Sequence, residues 1–147
     1  MPTLTTVSCW TITASEDIAC VTHAAVGDYW APRVWSGHGL AIAGTDLAGF
    51  EKVLGEVMKL PVYWQARARC GDCGAGDAAI WSEPRCDPDD DFVYLSGPCR
   101  AGEPTAGYRP VSAFTLDLVN LRGLRIRIAA YRARGTRGLR APRPRIT

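Results

Sequence analysis

Residues 45–70, TDLAGFEKVLGEVMKLPVYWQARARC, contain a change of hydrophobic period, and the fold class turns on it. In the first half, Leu47, Phe50, Val53, Leu54, Val57 and Met58 recur three or four residues apart, which sets them in one stripe along a helix. Glu51, Lys52, Glu56 and Lys59 face away from that stripe. Thr45 or Asp46 supplies an N-cap, and Pro61, which cannot continue a helix interior, marks the end. Beyond Pro61 the period falls to two. Val62, Trp64, Ala66, Ala68 and Cys70 alternate with Tyr63, Gln65, Arg67 and Arg69, which predicts a strand packed on one side. A one-faced helix followed at once by a one-faced strand calls for an α+β domain.

Outward from this stretch, Leu4–Thr13 (LTTVSCWTIT) is rich in Thr, Val, Ile and Trp and reads as a strand. Ser15 followed by Glu16 and Asp17 reads as an N-cap with acids in the first turn. Ile18, Val21 and Ala25 then predict a short helix closing at Gly27. Gly39–Ala43 and Asp91–Leu95 read as short strands, each beside a Gly- or Pro-rich loop. Ala113–Val119 and Leu124–Tyr131, joined by Asn120–Gly123, read as a β-hairpin with Leu124, Ile126 and Ile128 inward and Arg125 and Arg127 outward. The expectation is one compact domain over residues 1–131, a mostly antiparallel sheet of about five to six strands with two helices. An extended Arg/Pro-rich C-terminal arm over 132–147 follows it.

Charge is divided unevenly along the chain. Residues 1–120 carry 8 basic and 15 acidic side chains, whereas 121–147 carry nine arginines and no acid. Guanidinium grips phosphate and carboxylate through paired hydrogen bonds, so Arg125, Arg127, Arg132, Arg134, Arg137, Arg140, Arg143 and Arg145 are the candidate anion- or partner-binding residues. The anion is nucleic acid, a partner's acidic face, or the acidic body of this same protein. No run approaches the roughly 20 apolar residues of a membrane span, and the N-terminus lacks a secretory pattern, which points to the cytoplasm or a macromolecular assembly.

Cys70-Gly-Asp-Cys73-Gly is the strongest local motif, because two thiolates two residues apart can wrap a tetrahedral ion. With Cys86 and Cys99 it would complete a structural zinc site at a spacing unlike the usual ribbon of two close pairs. Disulfides between the loops and plain reduced thiols are the alternatives. Cys9 and Cys20 read as core residues. For catalysis the sequence offers Cys70 or Cys73 with His23 or His38 as base, or Asp87, Asp89, Asp90 and Asp91 as metal ligands, all without a supporting motif. Trp30, Trp35 and Trp81 fall near loops, where tryptophan favours contact surfaces.

Together these features point to a non-enzymatic structural or interaction subunit that contacts protein neighbours through the arm and the loop tryptophans. The alternatives are a small zinc-supported nucleic-acid-binding module and a small enzyme without a recognised motif.

Overall fold

A computed structural model describes residues 3–24, 30–35, 39–70, 81–86, 91–97 and 109–140, with the backbone alone at Cys70 and beyond Arg134. The chain opens with three strands, β1 (Thr3–Val7), β2 (Trp10–Ser15) and β3 (Ile18–His23), joined by the two-residue turns Ser8-Cys9 and Glu16-Asp17. In each turn only the first residue has positive φ, 56° at Ser8 and 52° at Glu16. Reversals of this kind match the twist of paired strands but usually place glycine at that position.

The helix expected from Ser15 is therefore strand β3. Ala19, Val21 and His23 are buried, while Ile18, Cys20 and Thr22 face out. The helical row fails at Ile18, which lies on the opposite face from Val21, and the apparent N-cap is the turn. Strand β9 (Ala113–Asp117) pairs antiparallel with β3, giving a four-stranded sheet ordered β1-β2-β3-β9.

A second antiparallel sheet has the order β6-β7-β5-β4-β8, from β4 (Arg33–Trp35), β5 (Gly39–Ala43), β6 (Arg85–Cys86), β7 (Phe92–Ser96) and β8 (Arg109–Pro110). One face of its central strands, Leu40, Ile42, Val93 and Leu95, joins Trp10, Ile12, Ala14, Ala19 and Val21 of the first sheet in a single core. The opposite face packs Ala41, Ala43 and Phe92 beneath Tyr94. Arg33 lies over the Phe92 ring at 3.8 Å.

Helix α1 (Leu47–Val57) follows a 3-10 turn at Gly44–Asp46 and buries Leu47, Phe50, Val53, Leu54 and Val57, the stripe expected from sequence. Helix α2 (Pro61–Cys70) stands where the alternation predicted a strand. Pro61 does not end a helix there. It begins one, at the first helical position, where its missing N–H has no intrahelical role. Tyr63 and Ala66, three apart, are buried, whereas Trp64 is 56% exposed.

Helix α3 (Leu121–Arg140) likewise replaces the second strand of the expected C-terminal hairpin. Leu121, Leu124 and Ile128 are fully buried at helical spacing, and Ile126 is 42% exposed. The supposed hairpin turn is a 3-10 turn at Leu118–Asn120 that feeds the helix. The α+β class holds, as one core between two antiparallel sheets of four and five strands and three helices. No helix among the described residues is long and apolar enough to cross a membrane.

Candidate metal centre

Strand alternation places three donor side chains together at one end of the first sheet. Trp10 opens β2 and points into the core, so Cys9 before it occupies the second position of the β1–β2 turn. Antiparallel register sets His23, the last residue of β3, directly opposite Trp10. Asp46 closes the 3-10 turn ahead of α1, whose Phe50 packs on the Trp10 ring at 4.5 Å.

The backbone around these groups is pinned. Ala24 N–H donates to the Cys9 carbonyl at 2.9 Å, the Trp10 indole N–H donates to the Asp46 carbonyl at 3.1 Å, and His23 N–H donates to the Ser112 carbonyl at 3.0 Å. Gly49 lets α1 sit against the turn, since a Cβ there would lie 3.2 Å from the Ser8 Cβ and 3.4 Å from the Trp10 ring.

Cys9 Sγ lies 3.1 Å from His23 Nε2, and Asp46 Oδ2 lies 2.8 Å from that same nitrogen. The three donor atoms fall within 4.8 Å of one another. The His23 side chain is 3% exposed and that of Asp46 20%, with Cys9 half-buried. The Trp10 and His23 rings meet edge to face, with centroids 4.6 Å apart. Burial first, and the Asp46 charge second, push the Cys9 thiol above its ordinary value.

This geometry separates two kinds of chemistry. In a nucleophile–base–acid relay the thiol and the carboxylate use opposite imidazole nitrogens, and the nucleophile is poised to ionise. Here both approach Nε2, and the thiol is held neutral. A sulfur, a nitrogen and an oxygen donor this close together could hold a metal ion. Tetrahedral zinc places a thiolate at about 2.3 Å and an imidazole or carboxylate at about 2.0–2.2 Å, which separates donors by roughly 3.2–3.8 Å. The observed 3.1 Å and 2.8 Å need only a few tenths of an ångström of expansion.

The cysteines favoured by sequence lie elsewhere. Cys86 is an exposed cysteine on β6. It adjoins Tyr131, whose phenol is pushed upward, first by burial and then by Cys86. The Cys70 side chain, Cys73, Cys99, His38 and Asp87–Asp90 are outside the described residues. Asp91 is exposed. Cys20, expected in the core, is an exposed free thiol because it faces outward on β3. His23, which the sequence offers as a base for Cys70 or Cys73, has Cys9 as its cysteine partner. Sequence reading missed the Cys9–His23–Asp46 group because it folded residues 15–27 into a helix. Placing both two-residue turns would have brought His23 beside Trp10 and Cys9.

Among the loop tryptophans, Trp81 is corrected to a core residue. It is buried, its ring sits where a Gly97 Cβ would lie at 2.7 Å, and so it offers no contact surface. Trp35 is half-buried on β4, and Trp30 is 38% exposed and stacks on Phe92.

Four of the described arginines of α3 meet the protein's own body. Arg125 Nε donates to the Glu51 carbonyl at 3.2 Å, and Arg132 pairs with the Glu51 carboxylate. Arg127 donates to the Trp81 carbonyl at 2.8 Å and shares Glu83 with Arg134, at 3.1 and 3.0 Å. Side chains of Arg137 and Arg140, and all of Arg143 and Arg145, lie outside the described residues.

No protein-family model, curated protein or solved structure matches this chain.

Proposed function

We propose that this protein is a metal-binding domain that holds a zinc-class divalent ion at Cys9, His23 and Asp46. The observation that carries the reading is the convergence of thiol, imidazole and carboxylate within 4.8 Å at a buried end of the first sheet. A thiolate and an imidazole suit zinc and not calcium or magnesium, which take oxygen donors. The ion joins the first hairpin to the start of α1, so its role is architectural and non-enzymatic. The fourth tetrahedral position has no side-chain donor among the described residues.

Titration of metal-free, reduced full-length protein with Co(II), a spectroscopic stand-in for zinc, tests this. One equivalent is expected to give a thiolate charge-transfer band and tetrahedral d–d absorption, displaced by zinc and lost in Cys9→Ser. Absorption that survives Cys9→Ser but disappears when Cys70 and Cys73 are changed to Ser would move the centre to the Cys-x-x-Cys motif. Absence of binding would end the metal reading.

A second reading, an interaction subunit of a larger assembly, is favoured by exposed Trp64 and Trp30 together with Leu4 and Ile18 on the open face of the first sheet. A nucleic-acid role has less support, since phosphates would have to displace Glu51 and Glu83 from Arg132, Arg127 and Arg134. Crosslinking at position 64 that captures a stoichiometric protein neighbour in cells supports the interaction reading, and its failure removes it.

A further inference from the structure

The two lysines of this chain, Lys52 and Lys59, line one cleft of about 470 Å³, together with Gly55, Glu56, Met58 and Arg125. It is set between α1, the turn that follows it, and α3. We infer that this cleft binds the phosphate group of a small phosphate monoester, independently of the metal centre.

Three observations lead there. The first is charge. Lys52, Lys59 and Arg125 stand against the single carboxylate of Glu56, which pairs with Lys59 at 3.1 Å. The surplus of two positive charges matches a dianionic phosphate. The carboxylate of Glu51, next to Lys52 in sequence, is engaged by Arg132.

The second is how Arg125 is held. Its Nε donates to the Glu51 carbonyl, which fixes the plane of the guanidinium and leaves its terminal nitrogens without a described partner. A planar fork held in this way suits two oxygens of one phosphate. Lys52 has no ion-pair or hydrogen-bond partner among the described residues, so binding an anion there breaks no existing pair.

The third is the floor. Gly55 lies inside α1, where glycine weakens a helix by about 1 kcal/mol relative to alanine. A Cβ at Gly55 would come within 2.9 Å of Arg125 Nε and 3.0 Å of its Cζ. The missing side chain is what lets the guanidinium lie flat in the cleft. Met58 adds apolar surface beside it, which suits a monoester carrying a small apolar or aromatic group better than a bare ion.

The test is a titration of the isotopically labelled full-length protein, in chelator-treated buffer of fixed ionic strength, with inorganic phosphate and with phenyl phosphate. Backbone amide shifts are the readout. Saturable shifts clustered at residues 52–59 and 125 are expected, with phenyl phosphate the tighter ligand. Lys52→Gln should weaken binding about tenfold, the equivalent of one charge-assisted hydrogen bond. Arg109→Gln, the same change of charge on exposed strand β8, should leave it unaltered. Arg125→Gln should remove saturation, and amide spectra that are otherwise native would show that the loss is not unfolding. Linear shifts, shifts spread over the surface, or equal weakening by Lys52→Gln and Arg109→Gln would overturn the site. Equal affinity for the two ligands would overturn the monoester assignment.

Discussion

Zinc uptake by this protein should release a proton that comes from Cys9, and its cost follows from the surroundings of that thiol. Burial first and the Asp46 carboxylate second raise the Cys9 pKa above that of an ordinary thiol, so at pH 7 the metal-free site holds a thiol. A metal ligand must be the thiolate. Deprotonating even an ordinary thiol, with a pKa of about 8.5, costs about 2 kcal/mol at pH 7, at about 1.36 kcal/mol per unit, and the upward shift of Cys9 adds to that. The apparent affinity at pH 7 is therefore more than about 30-fold below that of the ionised site. It should rise about tenfold per pH unit until the thiol titrates. Isothermal titration calorimetry of zinc into metal-free protein, in two non-coordinating buffers of different ionisation enthalpy, measures the protons released. Cys9→Ser should release about one fewer and bind far more weakly. Asp46→Asn separates the two effects of the carboxylate, since it should lower the Cys9 pKa in the metal-free protein while still weakening zinc binding. Proton release that is unchanged by Cys9→Ser would show that this thiol is not a ligand, and the assignment would fail.

Four further outcomes are expected. The thiol of Cys9 has its folded pKa raised, so its contribution to stability is whole below the unfolded value and is lost as pH climbs through the folded one. Thermal melts of metal-free protein from pH 8 to 10.5 should show a decline that is shallower in Cys9→Ser. Ile128→Ala should destabilise by about 2–4 kcal/mol and Ile126→Ala by under about 0.5 kcal/mol in denaturant unfolding, because only the first is buried. Equal costs would restore the hairpin that the alternation of 124–128 suggested. Gly97→Ala places a Cβ 2.7 Å from the buried Trp81 ring and should cost about 1–3 kcal/mol in the same assay, and a neutral result would mean the ring can move aside. Glu83→Gln removes the partner of Arg127 and Arg134, yet all three side chains are partly exposed, so the loss should stay under about 1 kcal/mol and shrink further in high salt.

Helix α1 and strands β5 and β7 were legible because one signal acted alone in each: a stripe three or four residues apart, or a short apolar run beside Gly- or Pro-rich segments. The misread elements are those in which two periods coincide. In Val62–Cys70 the alternation of Val62, Trp64 and Ala66 is regular, but burial chose Tyr63 and Ala66, three apart, and the alternating set was left half outside. Leu124, Ile126 and Ile128 alternate as well, and Leu121 decides the matter by extending the row to 121, 124 and 128. Ser15-Glu16-Asp17 has the composition of an N-cap, and Glu16 occupies a left-handed turn position usually given to glycine. The candidate metal centre depended on that turn. Its three donors lie at positions 9, 23 and 46, on separate elements with no short motif among them, so only a correct β-meander could bring them together. The motif that sequence did highlight, Cys70 with Cys73, has its side chains outside the described residues.

The basic helix shows how the charge asymmetry between the two parts of the chain is used. Arg125 and Arg132 are seven residues apart, close to two helical turns, and both reach Glu51 of α1. Arg127 and Arg134 have the same spacing, and both reach Glu83 beside Trp81. The apolar row of Leu121, Leu124 and Ile128 runs between them. Most of these pairs are partly solvated, and pairs of that kind contribute at most about 1 kcal/mol each, whereas fully burying one leucine or isoleucine is worth about 1.5–3 kcal/mol. The apolar row therefore holds α3 to the core. What the arginines add is orientation. Rotating the helix by one residue, about 100°, would carry each arginine row away from its acid and turn Arg125 or Arg127 towards the core, so charge and hydrophobic pattern select the same register. The acidic body is thus an intramolecular partner for this part of the arginine-rich segment. Of these four residues Arg125 is the exception, since it meets Glu51 through a backbone carbonyl and leaves its terminal nitrogens beside two lysines.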